Sequence, residues 1–187
     1  MGEPRWFYRT EPEWIAFAEG LKQLPCPHCK AVGTLIRHGF LYGFDESSSP
    51  RKTLRARRIF CSNRNRRPGC GQTFSVWIAD KIRRLSLTAR SLWKFLQRAV
   101  AGTLAAAIRG ADLPRSDRTM QRLWKRFERG QSAIRTALSG RCLPPESPPQ
   151  PSSRPAAAQV LTHLQAAFPH ADCPIAAFQH SVRSFFV

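Results

Sequence analysis

Cys26-Pro27-His28-Cys29, Arg58-Ile59-Phe60-Cys61 and Cys70-Gly71-Gln72-Thr73-Phe74-Ser75 are the stretches whose reading decides the fold. The first is a Cys-x2-Cys knuckle set just before a run of β-branched and aromatic residues. Of the second pair, one cysteine closes a run of that kind and the other opens the next. Thiolates are soft donors, so tight turns that bring four of them together make a tetrahedral site for one structural zinc ion. Backbone NH groups in the turns temper the accumulated negative charge. Eight residues, Ser62 to Gly69, separate Cys61 from Cys70, against about two to four in a tight knuckle. The insert is polar and basic and is expected to bulge away from the ligands. His28 and His38 are alternative ligands, but His28 lies inside the knuckle with its ring turned away, and His38 sits in a strand. So small a β module buries little apolar surface, and the metal is expected to supply its folding free energy.

Working outward, strands are expected over Thr34 to Phe40, Thr53 to Phe60 and Thr73 to Ile78. Gly43 and the run Asp45 to Pro50 form the turn between the first two. Upstream, Thr10 and Glu13 fit a capping box, and Trp14, Phe17, Ala18 and Leu21 share a face. That predicts a helix over 10–22 packed on the β module. After Leu85 the period becomes helical. Leu92, Phe95, Leu96, Ala99 and Val100 form one apolar face ended by Gly102, and Leu104, Ala107, Ile108 and Ala111 form a shorter one. Gly110 to Pro114 reads as a turn. Ser116 then caps a third helix that is expected to stop at Gly130, with a weaker helical segment over Ser132 to Leu138. The proline-rich stretch 143–155 is expected to be an extended, disordered linker, and 156–168 a short amphipathic helix. The expected class is α+β: a helical extension over 1–24, a zinc ribbon over 25–80, a helix-turn-helix over 81–142, the linker, and a C-terminal helical tail over 156–187. That tail reads as a partner's docking helix or a frayed end.

The formal net charge of +18 and isoelectric point near 11.2 call for a polyanionic partner, with nucleic acid ahead of an anionic membrane. No stretch approaches the roughly 20 apolar residues of a spanning helix. The opening residues form no secretion signal, and Trp6 stands where a myristoylation motif wants Ser or Thr. An intracellular protein with reduced thiols is therefore expected, which favours metal over disulfides.

Two basic regions stand out. Arg51, Lys52, Arg55, Arg57, Arg58, Arg64, Arg66 and Arg67 follow one another with no acid between and suit phosphate contact. On the third helix Met120, Leu123, Trp124 and Phe127 share one face, and Arg118, Gln121, Arg122 and Lys125 the opposite one. Arg, Lys and Gln are the side chains that read guanine and adenine edges in the major groove. Arg90, Lys94, Gln97 and Arg98, outward on the first helix of the set, suit phosphates better than bases.

The three cysteine-bearing stretches resemble the transposase-associated zinc ribbons of bacterial insertion sequences, in which a helix-turn-helix follows the ribbon. That likeness spans residues 25 to about 129. The stretch from Cys61-Ser62-Asn63 to Cys70-Gly71-Gln72-Thr73-Phe74 is also similar to the Ogr/Delta phage late-transcription activators. The long Cys61–Cys70 loop departs from both. The resemblance implies a bacterial, cytoplasmic, nucleoid-associated protein on double-stranded DNA, with a separately encoded transposase or RNA polymerase as a further partner.

An insertion-sequence transposase cuts DNA with three carboxylates on two metal ions in an α/β domain. Late in this chain stand only Glu128, Glu146 and Asp172, with no alternating strand–helix core. Tyr8 and Tyr42 lie too early for a tyrosine recombinase, and no Walker loop or Cys–His nucleophile pair occurs. A non-enzymatic, sequence-specific DNA-binding protein of a transposable element is the expectation. A truncated or divergent transposase and an RNA-binding ribbon protein are the alternatives. Cys142, His163, His170, Cys173 and His180 are spaced like no known knuckle.

Overall fold

A computed structural model describes residues 6–111, 115–146 and 154–187. The described residues form an α+β fold, with one mixed four-stranded sheet and six α-helices among them. The strands are β1 (Trp6–Tyr8), β2 (Leu35–Phe44), β3 (Lys52–Cys61) and β4 (Thr73–Ile78), ordered β1-β4-β3-β2. β3 is antiparallel to both β2 and β4, whereas β1 pairs parallel with β4, Trp6 opposite Val76. β1 is too short to show a period, which is why the sequence did not announce it. The expected extension is therefore partly an edge strand of the sheet.

Helix α1 (Glu11–Glu19) starts where the capping box put it. The Thr10 hydroxyl accepts from the Glu13 amide at 3.4 Å, and Glu13 accepts from the Arg9 amide at 2.8 Å. A 3-10 turn (Gly20–Gln23) follows. Trp14, Ala18 and Leu21 pack with Tyr8, Leu35, Ile59 and Val76 in a small core that also holds Cys26 and Cys61.

The other helices are α2 (Ala89–Ala101), α3 (Leu104–Gly110), α4 (Asp117–Ser139), α5 (Pro155–Ala167) and α6 (Pro174–Val182). Thr88, Thr103 and Ser116 cap the first three through their hydroxyls. α4 does not stop at Gly130 as expected. It continues to Ser139 because its buried stripe runs on through Phe127, Ile134 and Leu138. A mid-helix glycine costs only about 1 kcal/mol relative to alanine, and packing of that stripe outweighs it.

The C-terminal segment is not a tail. Val160, Leu164, Ile175, Phe178 and Phe186 are buried in one core with Leu92, Phe95, Leu96, Trp124 and Phe127. Each helix has a single apolar face, and α5 and α6 are what cover those of α2 and α4. Of the expected linker, residues 147–153 lie outside the described residues, and Pro155 already opens α5.

Arg55 corrects another expectation. It is 7 % exposed and donates to three backbone carbonyls, Phe44 at 3.2 Å, Ile82 at 2.6 Å and Leu85 at 2.5 Å. The β2–β3 register explains the inward aim. Leu41 pairs with Ala56 and Tyr42 with Leu54, so Arg55 is the unpaired extra residue of a bulge. Gly43 makes the room, since a Cβ there would lie 2.3 Å from the Arg55 Cδ.

Three further contacts join the sheet to the helices. Glu46, in the β2–β3 turn, accepts from the Thr88 amide at 2.9 Å and the Ser91 hydroxyl at 2.7 Å, at the start of α2. Arg115 reaches the carbonyls of Asp45 and Ser86. Gln179, fully buried on α6, donates to the Ala79 carbonyl at 2.6 Å. Arg55→Met is expected to lower stability by about 3 kcal/mol, because it orphans buried carbonyls. An unchanged urea midpoint in the variant would show that Arg55 does not hold these carbonyls.

Candidate metal centre and basic surfaces

Cys26, Cys29, Cys61 and Cys70 converge, with all their Sγ atoms within 4.8 Å of one another, and can hold a metal ion. Cys26 and Cys29 come from the loop before β2, Cys61 ends β3 and Cys70 precedes β4. The two knuckles share one hydrogen-bond frame. The Cys26 amide donates to the Ala31 carbonyl and the Lys30 amide to the Cys26 carbonyl, at 3.0 and 2.9 Å. In the second knuckle the Cys61 amide donates to the Gln72 carbonyl and the Gly71 amide to the Cys61 carbonyl, at 2.9 and 3.0 Å. Lys30 and Gly71, each directly after the second cysteine of its pair, both adopt positive φ, 66° and 72°. Glycine takes that conformation freely, whereas Lys30 bears a steric cost. The long insert thus leaves the second frame intact, and its Arg64, Arg66 and Arg67 are exposed.

The geometry suits a tetrahedral ion. Cys26 and Cys70 Sγ are 3.9 Å apart, and Cys29 and Cys61 Sγ 3.7 Å. A tetrahedron with metal–sulfur bonds of about 2.3 Å has edges of about 3.8 Å, whereas a disulfide needs about 2.05 Å. Outer contacts orient the sulfurs. The Cys70 amide donates to the Cys61 sulfur at 3.3 Å, and the buried Thr34 hydroxyl lies 3.2 Å from the same atom. Burial pushes the Cys26 thiol up to about 12, and it raises Cys70 as well. The Ala31 amide draws Cys29 down to about 7. Neither histidine joins the cluster: His28 lies against Phe74 and His38 against Phe60. Cys142, His163, His170, Cys173 and His180 form no metal-holding group among the described residues. His163 is buried against the Cys142 carbonyl at 3.0 Å, and His180 pairs with Glu13.

The basic residues separate by environment. Arg118, Gln121, Arg122 and Lys125 are all exposed on α4, opposite the buried Met120, Leu123, Trp124 and Phe127. Arg126 and Arg129 extend that exposed face, which the sequence reading did not claim. Arg90 and Lys94 are exposed on α2, and so is Arg58 on β3. Arg57 is committed elsewhere. Its guanidinium pairs with Glu11 at 2.5 Å, donates to the Tyr8 hydroxyl at 3.2 Å and lies 4.8 Å from the Trp14 ring. Among the described residues no helix is long and apolar enough to cross a membrane. No protein family, curated protein or solved structure matches this chain.

Proposed function

We propose that this is a zinc-stabilised, sequence-specific duplex-DNA-binding protein, the DNA-recognition or regulatory component of a transposable element. α2, α3 and α4 serve as its helix-turn-helix. The observation that carries this reading is the two-faced α4, with Arg118, Gln121, Arg122 and Lys125 free toward solvent and the opposite face sunk in the core. A helix so held can lie in the major groove and offer bidentate donors to base edges, while exposed cations on α2 and in the 62–69 loop neutralise phosphates. Zinc is the ion of choice for four thiolates, because a closed tetrahedral sulfur shell suits a structural, redox-silent cation.

The test begins with a preferred site selected from a random duplex pool. Arg122→Ala is expected to cost about 1–3 kcal/mol at that site and to relax the preference at one or two base pairs. Joint replacement of Arg64, Arg66 and Arg67 by alanine should instead lower the slope of log K against log salt, by about 0.9 per lost phosphate contact, with the preference kept. Equal weakening on preferred and scrambled duplex by every exposed α4 variant would leave a non-specific binder and end the recognition-helix reading.

A further inference from the structure

β2 is an outer strand of the sheet, and it carries Phe40, Tyr42 and Phe44 at alternate positions. They are 53 %, 57 % and 51 % exposed. Alternate residues point to one face of a strand, and the bulge at Arg55 belongs to β3, so β2 stays regular here. The Phe40 and Tyr42 rings lie 6.1 Å apart, with the Arg57 guanidinium 5.7 Å from the Phe40 ring. α1 packs against the sheet at Arg57, where Trp14 sits, but leaves these three rings uncovered. Three large half-exposed rings in a row have no part in the folding core. Nor do they belong to the α4 surface.

Cations stand at both ends of the strip. Arg37 lies on β2 itself, and Arg51 and Lys52 are exposed at the other end, with Lys52 paired opposite Phe44. The nearby acids are engaged: Glu11 with Arg57, Asp45 with Ser47 and the Arg51 amide, Glu46 with Thr88 and Ser91. Open aromatic faces between cations fit a chain of unpaired bases. The rings stack on the bases, and the cations take the phosphates between them. A duplex, whose bases stack on one another, offers no free base face to such a strip. A protein strand added to the β2 edge would use its backbone groups, but it would draw nothing from the cations at either end.

We propose that the Phe40–Tyr42–Phe44 strip of β2 is a second nucleic-acid site, one that binds single strands by base stacking and is separate from the duplex surface of α4. The test uses the full chain with fluorescent oligothymidylate and oligouridylate of about a dozen nucleotides, and with a duplex of the selected site. Removing all three rings, as Phe40→Ala, Tyr42→Ala and Phe44→Ala together, is expected to weaken single-strand binding by well over tenfold. Duplex affinity and the circular dichroism spectrum should be unchanged. Tyr42→Trp alone should keep or strengthen single-strand binding, because it retains a stacking surface. Arg122→Ala should leave it intact. Preference for the ribo- or the deoxy-oligonucleotide assigns RNA or single-stranded DNA as the natural strand, and either result supports the site. Unchanged single-strand affinity in the triple variant overturns the proposal. So does loss of self-association in that variant at unchanged strand affinity, which would make the strip a contact between two copies of the chain.

Discussion

Cys70→Ser, or treatment with a chelator, is expected to unfold the sheet while α2 to α6 remain helical. The core beneath the sheet is small: Tyr8, Trp14, Leu21, Leu35, Ile59 and Val76 are its main buried side chains, and Cys26 and Cys61 are buried among them. The helices draw on a separate and larger core. A structural zinc ion contributes about 10–16 kcal/mol in small zinc modules, more than such a core can replace when a whole domain is stable by only about 5–15 kcal/mol. Acid should act in the same direction. Burial holds the Cys26 thiol near 12, so at neutral pH it keeps its proton until a cation displaces it. Metal uptake then releases protons, and affinity falls as pH falls. The checks are metal content of the purified protein and amide NMR shifts of β2, β3 and β4. Purified protein free of zinc, or a Cys26→Ser, Cys70→Ser double variant with unchanged strand shifts, would refute the structural-metal proposal.

A chain ending at Glu146 is expected to lose the cooperative unfolding of the helical part, and with it the duplex binding proposed above. Removal of α5, α6 and the last residues takes Val160, Leu164, Ile175, Phe178 and Phe186 out of the core and uncovers Phe95, Leu96 and Phe127. Each fully buried side chain of this size contributes about 1.5–3 kcal/mol. Five of them together rival the entire stability of a domain. The truncation also removes Gln179, whose amide satisfies the Ala79 carbonyl between sheet and helices. Urea denaturation followed by circular dichroism measures the effect. If the shortened chain unfolds at the same midpoint as the full one, the segment is dispensable, and the tail read from the sequence was right.

The zinc-type cysteine pairs, three of the four strands and the two-faced third helix were legible because each rests on local pattern. A Cys-x2-Cys turn, a run of β-branched residues and a 3.6-residue stripe can all be read without knowing what they pack against. The convergence of four sulfurs bears out the cysteine spacing, long insert included. What stayed hidden depends on partners far along the chain. β1 is a strand only because β4 offers it an edge. Gly130 sits inside a helix because Ile134 and Leu138 have a core to enter. α5 and α6 looked dispensable because nothing in their composition names α2 and α4 as the faces they cover. Arg55 is the sharpest case. In sequence it is one arginine among several in a basic stretch, and its neighbours Arg58 and Arg64 are indeed exposed. A one-residue bulge in β3 turns it inward onto the carbonyls of Ile82 and Leu85. Charge is a property of the residue, but where it points depends on strand register, and register is settled only when the strands pair.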